Sequence, residues 1–430
     1  MPTLTRQTAP ARRATWRLAL ALALALAAIT AAPVAASGAT GGIAAESDSS
    51  GSSGPAGDAT ALQGNAMWIW YLSKAEGGGL NAIANRAHAS NVDTVFVKSG
   101  DGSNYWSQFT SALVDGLHAR GLKVCAWQFM YGSQARQEAE VGAKAVRRGA
   151  DCLIMDPESA FEGRYKQADR YIRRLRSRID NNDYPLGLAS FPYVHFHPAL
   201  PYSVFLRSDD GAQFNLPQMY WKAIGTTTEN VYSVTYRHNR PYGRPILPLG
   251  QTFGSPSETD VRQFRRWGLE YDAGGLSWWS WQHTSPSEWE WVGDPVSEFP
   301  DKQPDSSWAN LSSGSKGDQV IWAQSHLVGA GYSVKIDGGF GNGMRDKVQA
   351  YQAARGLTAD GVIGRVTWLA LLEEEACDWL WGSSTPRCDD RDVTSGAAAT
   401  GSAGQADDPA QPSTSSLPAR RYEIPTDLKR

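Results

Sequence analysis

The 430-residue chain has little of what marks several large functional classes. Its formal net charge is only -3, from 41 Lys+Arg against 44 Asp+Glu, and the basic residues are scattered. It therefore carries no electrostatic footprint for nucleic acid or for an anionic membrane surface. It has four cysteines and none of the paired spacing of a zinc site. No Gly-rich phosphate loop follows the first predicted strand, which argues against dinucleotide binding. Long hydrophobic runs are also scarce: one stretch, 18–28, stands out. It is shorter than the ~20 apolar residues that a membrane span requires. What remains is a neutral partner, with no cofactor and no metal expected, bound by a monomer.

That one apolar run has a specific context. Arg6, Arg12, Arg13 and Arg17 precede it, and Val34-Ala35-Ala36 supplies the small residues of a cleavage site. Residues 1–36 therefore read as a signal peptide, and the mature protein as secreted, with no membrane association after cleavage. Residues 37–63 are rich in Gly, Ser, Ala and Asp and predict a disordered linker. In an oxidising compartment Cys377 and Cys388, which flank a short Gly/Ser/Pro-containing loop, are expected to form a disulfide. Cys125 and Cys152 lie in apolar strand-like segments, where buried thiols are common, and are expected to stay reduced.

Between residues 64 and 300 the pattern repeats as apolar strand, turn and amphipathic helix. Predicted strands cover 67–71, 94–98, 123–129, 152–156, 186–191, 214–221, 246–251 and 275–281, with helices at 80–89, 109–119, 136–148, 166–179 and 258–267. Eight buried strands alternating with helices predict an α/β fold, a TIM (β/α)8 barrel, with an open doubly wound sheet as the alternative. A barrel places its site at the C-terminal strand ends. Those ends carry Trp70, Tyr71, Lys98, Asp101, Trp127, Gln128, Asp156, Glu158, His195, Gln218, Tyr220, Gln251, Trp278, Trp279, Trp281 and Gln282. Polar groups gathered with aromatics suit a glycan cleft. The chain has 17 Trp against 12 Phe, and indole faces pack well against sugar C–H faces.

Chemistry centres on Asp156-Pro157-Glu158. Residues i and i+2 of a strand share a face about 6 to 7 Å apart, so both carboxyls can enter the mouth. Two close acids perturb each other, so one can keep a proton while the other stays charged. The alternative is that Asp156 caps the next helix and Glu158 is solvated. Glu162 and Asp101 read as loop surface. His195-Phe196-His197 could place two ligands on one strand edge, but no third ligand has convincing spacing, and lining histidines are preferred.

Asp156-x-Glu158, Phe96-Val97-Lys98 and Trp278-Trp279-Ser280-Trp281 resemble the barrel muramidases that act on peptidoglycan. Gln218-Met219-Tyr220-Trp221 is similar to the sixth strand of chitinase-type barrels, which also end their fourth strand in Asp-x-Glu. The resemblance implies substrate-assisted hydrolysis, with the substrate's acetamido group as nucleophile. Glu158 would be the general acid and base, Asp156 would orient the acetamide, Tyr220 would bond its oxygen, and Trp279 or Trp281 would floor the sugar subsite. Trp70, Lys98, Trp127, Gln128, Gln218 and Gln251 would line the cleft. The chain departs from the muramidase pattern at Trp70, Tyr71, Gln218 and Tyr220, which stand where those enzymes carry Asp on the first strand and near the sixth. Leu153, Ile154 and Met155 replace the acidic run of chitinases. A glycan-binding barrel without turnover is the competing expectation.

Residues 301–313 form a polar linker to a second unit, 314–373. Val320, Ala323 and Leu327 recur at helical spacing, and Asp337-Gly338 and Asp360-Gly361 repeat at a spacing of 23. Gln324, Gly331-Tyr332, Phe340-Gly341, Tyr351-Gln352, Gly356-Leu357, Gly364 and Thr367-Trp368 complete a pattern similar to the three-helix peptidoglycan-binding module. The resemblance implies a wall-bound protein with peptidoglycan or a related polysaccharide as partner. Met344 departs from it where a helix-capping Thr is usual, a change expected to weaken a cap by about 1 kcal/mol. Residues 374–390 form a Cys-containing extension, and 391–430 a Gly/Ala/Ser/Pro-rich disordered tail.

Overall fold

The computed structural model describes residues 55–378 and Trp381. The expected signal peptide, Cys388 and the C-terminal tail lie outside the described residues. Nine strands form one sheet: β1 Gly64–Ile69, β2 Thr94–Asp101, β3 Asn104–Tyr105, β4 Lys123–Met130, β5 Leu153–Pro157, β6 Leu186–Ser190, β7 Phe214–Pro217, β8 Leu249–Gln251 and β9 Gly275–Trp279. Eight are parallel, in the order β7-β6-β5-β4-β2-β1-β9-β8, and β3 pairs antiparallel with the end of β2. Parallel bridges Asn215↔Ile246 and Gln218↔Leu249 join the two ends, so the sheet closes as a TIM barrel. Helices α1 Leu80–Ala89, α2 Ser111–His118, α3 Ala135–Arg147, α4 Tyr165–Ile179, α5 Tyr202–Phe205, α6 Trp221–Ile224, α7 Thr228–Asn239, α8 Glu258–Glu270 and α9 Pro286–Gly293 follow the strands.

Alternation along each strand sorts the side chains. Ala66 and Trp68 of β1, Phe96 of β2, Cys125 and Trp127 of β4, Ile154 of β5, Ala189 of β6 and Leu216 of β7 fill the interior. Met67, Ile69, Val95, Val97, Val124, Leu153, Met155, Leu186 and Leu188 form the outer layer under the helices. Ala61 and Leu62, inside the segment expected to be a linker, are buried with the interior set.

Two expected strands are shorter than their apolar runs. Phe214 starts β7, which ends at Pro217, and Trp221 begins α6 and stacks on Phe264 at 4.9 Å. The run at 246–251 contains Pro248, which cannot donate to a ladder, so regular pairing starts at Leu249. The cysteine expectation needs correction. Cys125 and Cys152 face each other across adjacent parallel strands, with Cα atoms 4.6 Å apart, and form a disulfide. Only the β4–β5 register, which pairs Ala126 with Leu153, brings them together. Cys377 is disulfide-bonded as well, but its expected partner Cys388 is not among the described residues.

The second unit has helices α10 Asp318–Gly329, α11 Asn342–Ala354 and α12 Arg365–Leu371. The sequence repeat has a structural cause. Gln324 Oε1 accepts from the amides of Asp337 and Gly338, and its Nε2 donates to Asp337 Oδ1. Gln352 does the same for the second turn, accepting from Gly361 N and donating to Asp360 Oδ1. Gly338 and Gly361 take the left-handed φ values, 71° and 75°, that these turns require. Met344 is not a cap: Gly341 precedes α11, and Met344 is buried in its first turn.

Residues 301–313 are packed, despite their polar composition. Arg240 donates to the carbonyls of Asp305 and Ser307, Arg237 pairs with Asp305, and Ala309 N donates to Arg237 O. Trp308 and Leu311 are buried. The α10 N-terminus inserts directly into the barrel's loops. Gly317 there has φ 105°, and a Cβ would lie 2.5 Å from Pro198.

Candidate active site

The C-terminal ends of the strands converge on the pair that ends β5. Asp156 is buried, and Glu158, two residues on in extended backbone, is partly exposed. Gln218, just past β7, joins them: its Nε2 donates to Asp156 Oδ1 at 3.0 Å and to Glu158 Oε1 at 3.1 Å. Those two oxygens thus lie within about 6 Å of each other, closer than the 6.5–9.5 Å carboxyl separation that leaves room for an inverting enzyme's water. Burial first, and the Glu158 charge second, push Asp156 well above the usual carboxylate range, while Lys98 and Gln218 oppose the shift. Burial also raises Glu158, again opposed by Gln218. The pair therefore holds a proton above the pH at which an isolated carboxyl loses it. Tyr220 borders it, its phenol held well above the usual range by burial and by both acids.

Aromatic rings form the floor and one wall. Trp68 and Trp127 are fully buried in the interior, and Trp279 lies over both, at 5.6 and 5.3 Å between ring centroids. Trp70 sits 5.6 Å from Trp279 and stacks on exposed Tyr71. The Trp70 Nε1 is buried without a hydrogen-bond partner among the described residues. Such a donor costs about 1–3 kcal/mol while no acceptor reaches it.

Lys98 is buried beneath this wall, its Nζ between 4.4 and 4.9 Å from the centroids of Trp70, Trp106 and Trp127. Burial lowers its proton affinity, while Asp101 and Asp156 raise it. Asp101, expected to be loop surface, instead accepts from Lys98 Nζ at 2.6 Å and from Tyr131 Oη at 2.9 Å. A bulge between Lys98 and Gly100 allows this. Without that extra residue, positions three apart would face opposite sides of the strand. Burial, then Asp101, pushes Tyr131 up to about 12. Tyr131 and Trp106 were not expected site residues, and Asp101 was expected at the strand end only as loop surface. The available signal was the polar end of a strand whose earlier residues are all apolar.

Several expected cleft residues lie elsewhere. Gln128 alternates with inward-facing Trp127 and so points outward, where it bonds Gly102 O, Glu138 O and Tyr171 Oη. Gln251 is consumed by the α6 N-terminus, accepting from the amides of Lys222 and Ala223. Trp281 is buried past β9 and packs on Trp289 at 4.6 Å, so Trp279 alone of the two reaches the mouth. Trp278 faces the outer layer. Trp127 lies under the site rather than on its surface. The two histidines diverge because Val194–Phe196 is a 3-10 turn rather than a strand. His197 pairs with Glu162 at 2.8 Å, and His195 stacks on His238. Among the described residues no group of three metal-ligating side chains occurs.

Residues 316–371 match the family model described as a putative peptidoglycan binding domain, so the chain carries a module of the kind that associates with cell-wall glycan. Among solved structures, a peptidoglycan-binding protein from Clostridioides difficile in complex with glutamine hydroxamate is 40% identical over 15% of this chain and 40% of that one, with a TM-score of 0.15. The Burkholderia AP3 phage endolysin is 41% identical over 15% of this chain and 25% of that one, also at 0.15. This chain thus spans less than half the length of either. A GH18 chitinase from Pseudoalteromonas aurantia is similar at 13% identity over 53% of this chain and 97% of that one, with a TM-score of 0.39. No curated protein matches the chain.

Proposed function

We propose that this protein is an exported glycoside hydrolase that cleaves an N-acetyl-sugar glycan of the cell wall, with peptidoglycan as the polymer its C-terminal module selects. The observation that carries the reading is the Asp156/Glu158 pair, bridged by Gln218 and retaining a proton beneath a mouth lined by Trp70, Trp279 and Tyr220. Glu158 is the outer member and the general acid. Asp156 lies buried behind it, and the resemblance to barrels in which the substrate's own acetamido group is the nucleophile supports that role for the acetamide here. Asp156 and Tyr220 orient that group. The interior disulfide Cys125–Cys152 supports export, since such bonds persist in oxidising compartments.

Glu158→Gln should suppress release of reducing ends from wall suspensions by at least ~100-fold, the usual contribution of a positioned acid. De-N-acetylated glycan should resist the native protein. Unchanged turnover in Glu158→Gln would remove that residue from the reaction. One observation favours a barrel that binds sugar without turnover: the Gln218 amide already occupies both acids. Binding of glycan fragments without any bond cleavage across a broad substrate panel would establish that reading instead.

A further inference from the structure

Among the described residues the exposed large aromatics are Tyr71, Tyr131 and Phe196, at 42%, 41% and 60% exposure. They follow β1, β4 and β6, so all three lie on the face that holds Glu158. Tyr71 and Tyr131 belong to the mouth already described. Phe196 does not. It stands on the loop between β6 and α5, and it is the most exposed of the three.

This loop connects the catalytic side to the module in four residues. His197 Nδ1 bonds Glu162, four residues beyond Glu158. Pro198 O accepts from Asp318 N at the start of α10. The Phe196 ring is braced: His195 lies beneath it at 4.2 Å, and Tyr193 meets it edge-on at 5.7 Å. His195 in turn stacks on His238 at 4.0 Å, and His238 O accepts from Gln319 Nε2 of α10. A braced, solvent-facing ring with a polar surround is what a sugar's C–H face packs against. A flexible tether would leave this relation variable, but Asp318, Gln319 and Trp322 all bond the barrel here.

We infer that Phe196 is a remote glycan subsite, over which a strand of alternating N-acetylglucosamine and N-acetylmuramic acid passes between the cleft and the module. The site takes the apolar face of a sugar ring outside the cleft, so long strands are bound more tightly than short ones. This rests on the glycan-cleaving reading above, and the test separates the two.

Full-length Glu158→Gln protein is titrated calorimetrically with peptide-free glycan strands of two, four and eight sugars. The expected result is affinity that rises with length, and a gain from four to eight sugars that falls by about tenfold when Phe196→Ala is added, the factor that 1.4 kcal/mol represents. Leu269→Ala, an exposed residue on α8 outside the mouth, serves as a control and should keep the full gain. A gain unaltered by Phe196→Ala, or equal affinity for two and eight sugars in the parent, overturns the subsite. Turnover by native protein is measured in parallel. Cleavage without a length-dependent gain sinks only the subsite, whereas a gain without cleavage sinks only the hydrolase reading.

Discussion

Asp318 offers the sharpest test of how the two units are joined. Its carboxylate is fully buried and accepts from Ser203 N at 2.8 Å, Ser203 Oγ at 2.6 Å and Tyr242 Oη at 2.7 Å, all donors from the barrel. Burial outweighs these bonds and that of Tyr165, so its pKa rises from the ordinary 3.8 to about 6. The folded protein therefore holds this proton more tightly than the unfolded chain, and stability falls as pH rises between those values. The loss amounts to about 3 kcal/mol by pH 7. The neighbouring phenols of Tyr165, Tyr202 and Tyr242 are all raised by burial and stay neutral throughout this range.

Asp318→Asn keeps the shape but cannot ionise: its oxygen, in the Oδ2 place, still accepts from Ser203 N and Tyr242 Oη, and the Ser203 hydroxyl can turn to accept from the amide NH2 in the Oδ1 place. Urea unfolding of parent and variant from pH 4 to pH 8 should thus show a parent that loses up to about 3 kcal/mol more than the variant. Asp318→Ala should be worse than either at every pH, by about 3 kcal/mol, because three buried donors lose their acceptor. Identical pH slopes for parent and Asp318→Asn would refute the reasoning.

Four further outcomes follow from the geometry. Replacing Cys125 and Cys152 together by Ala opens a closure between residues 27 apart and should lower unfolding stability by about 3 kcal/mol, read by denaturant titration against the oxidised parent. Trp279→Ala should weaken glycan binding by about tenfold with little change in melting temperature. Trp281→Ala should instead cost about 3–5 kcal/mol of stability, as a truncated core residue does, and equal effects of the two in a melting and binding comparison would contradict their assigned positions. Gln218 lowers the proton affinity of both acids; Gln218→Leu should therefore shift the alkaline limb of the pH–rate profile upward, since the pair then keeps its proton to higher pH.

The legible part of this protein was its periodicity. Alternating strands and amphipathic helices specify a barrel, because residues two apart share a face and residues three or four apart share another. The Asp156-x-Glu158 pair followed from the same rule, as two side chains on one face at a strand's end. The repeated Asp-Gly turns marked the module because their left-handed glycines and partner glutamines are local requirements.

Parity also limited what could be read. Trp127 and Gln128 could not both face the mouth, nor could Trp278 and Trp279, but which of each pair does so depends on where the strand enters the sheet. Asp101 read as loop surface because a bulge, invisible in the sequence, reset the count after Lys98 and turned it toward the site. Tertiary structure alone decided the Cys125–Cys152 disulfide, since β4–β5 register is set by barrel closure rather than by either strand. It alone decided that the polar segment 301–313 is packed and that α10 docks through Asp318. Sequence specifies these groups as polar, but whether water or a buried partner satisfies them depends on which distant backbone arrives beside them.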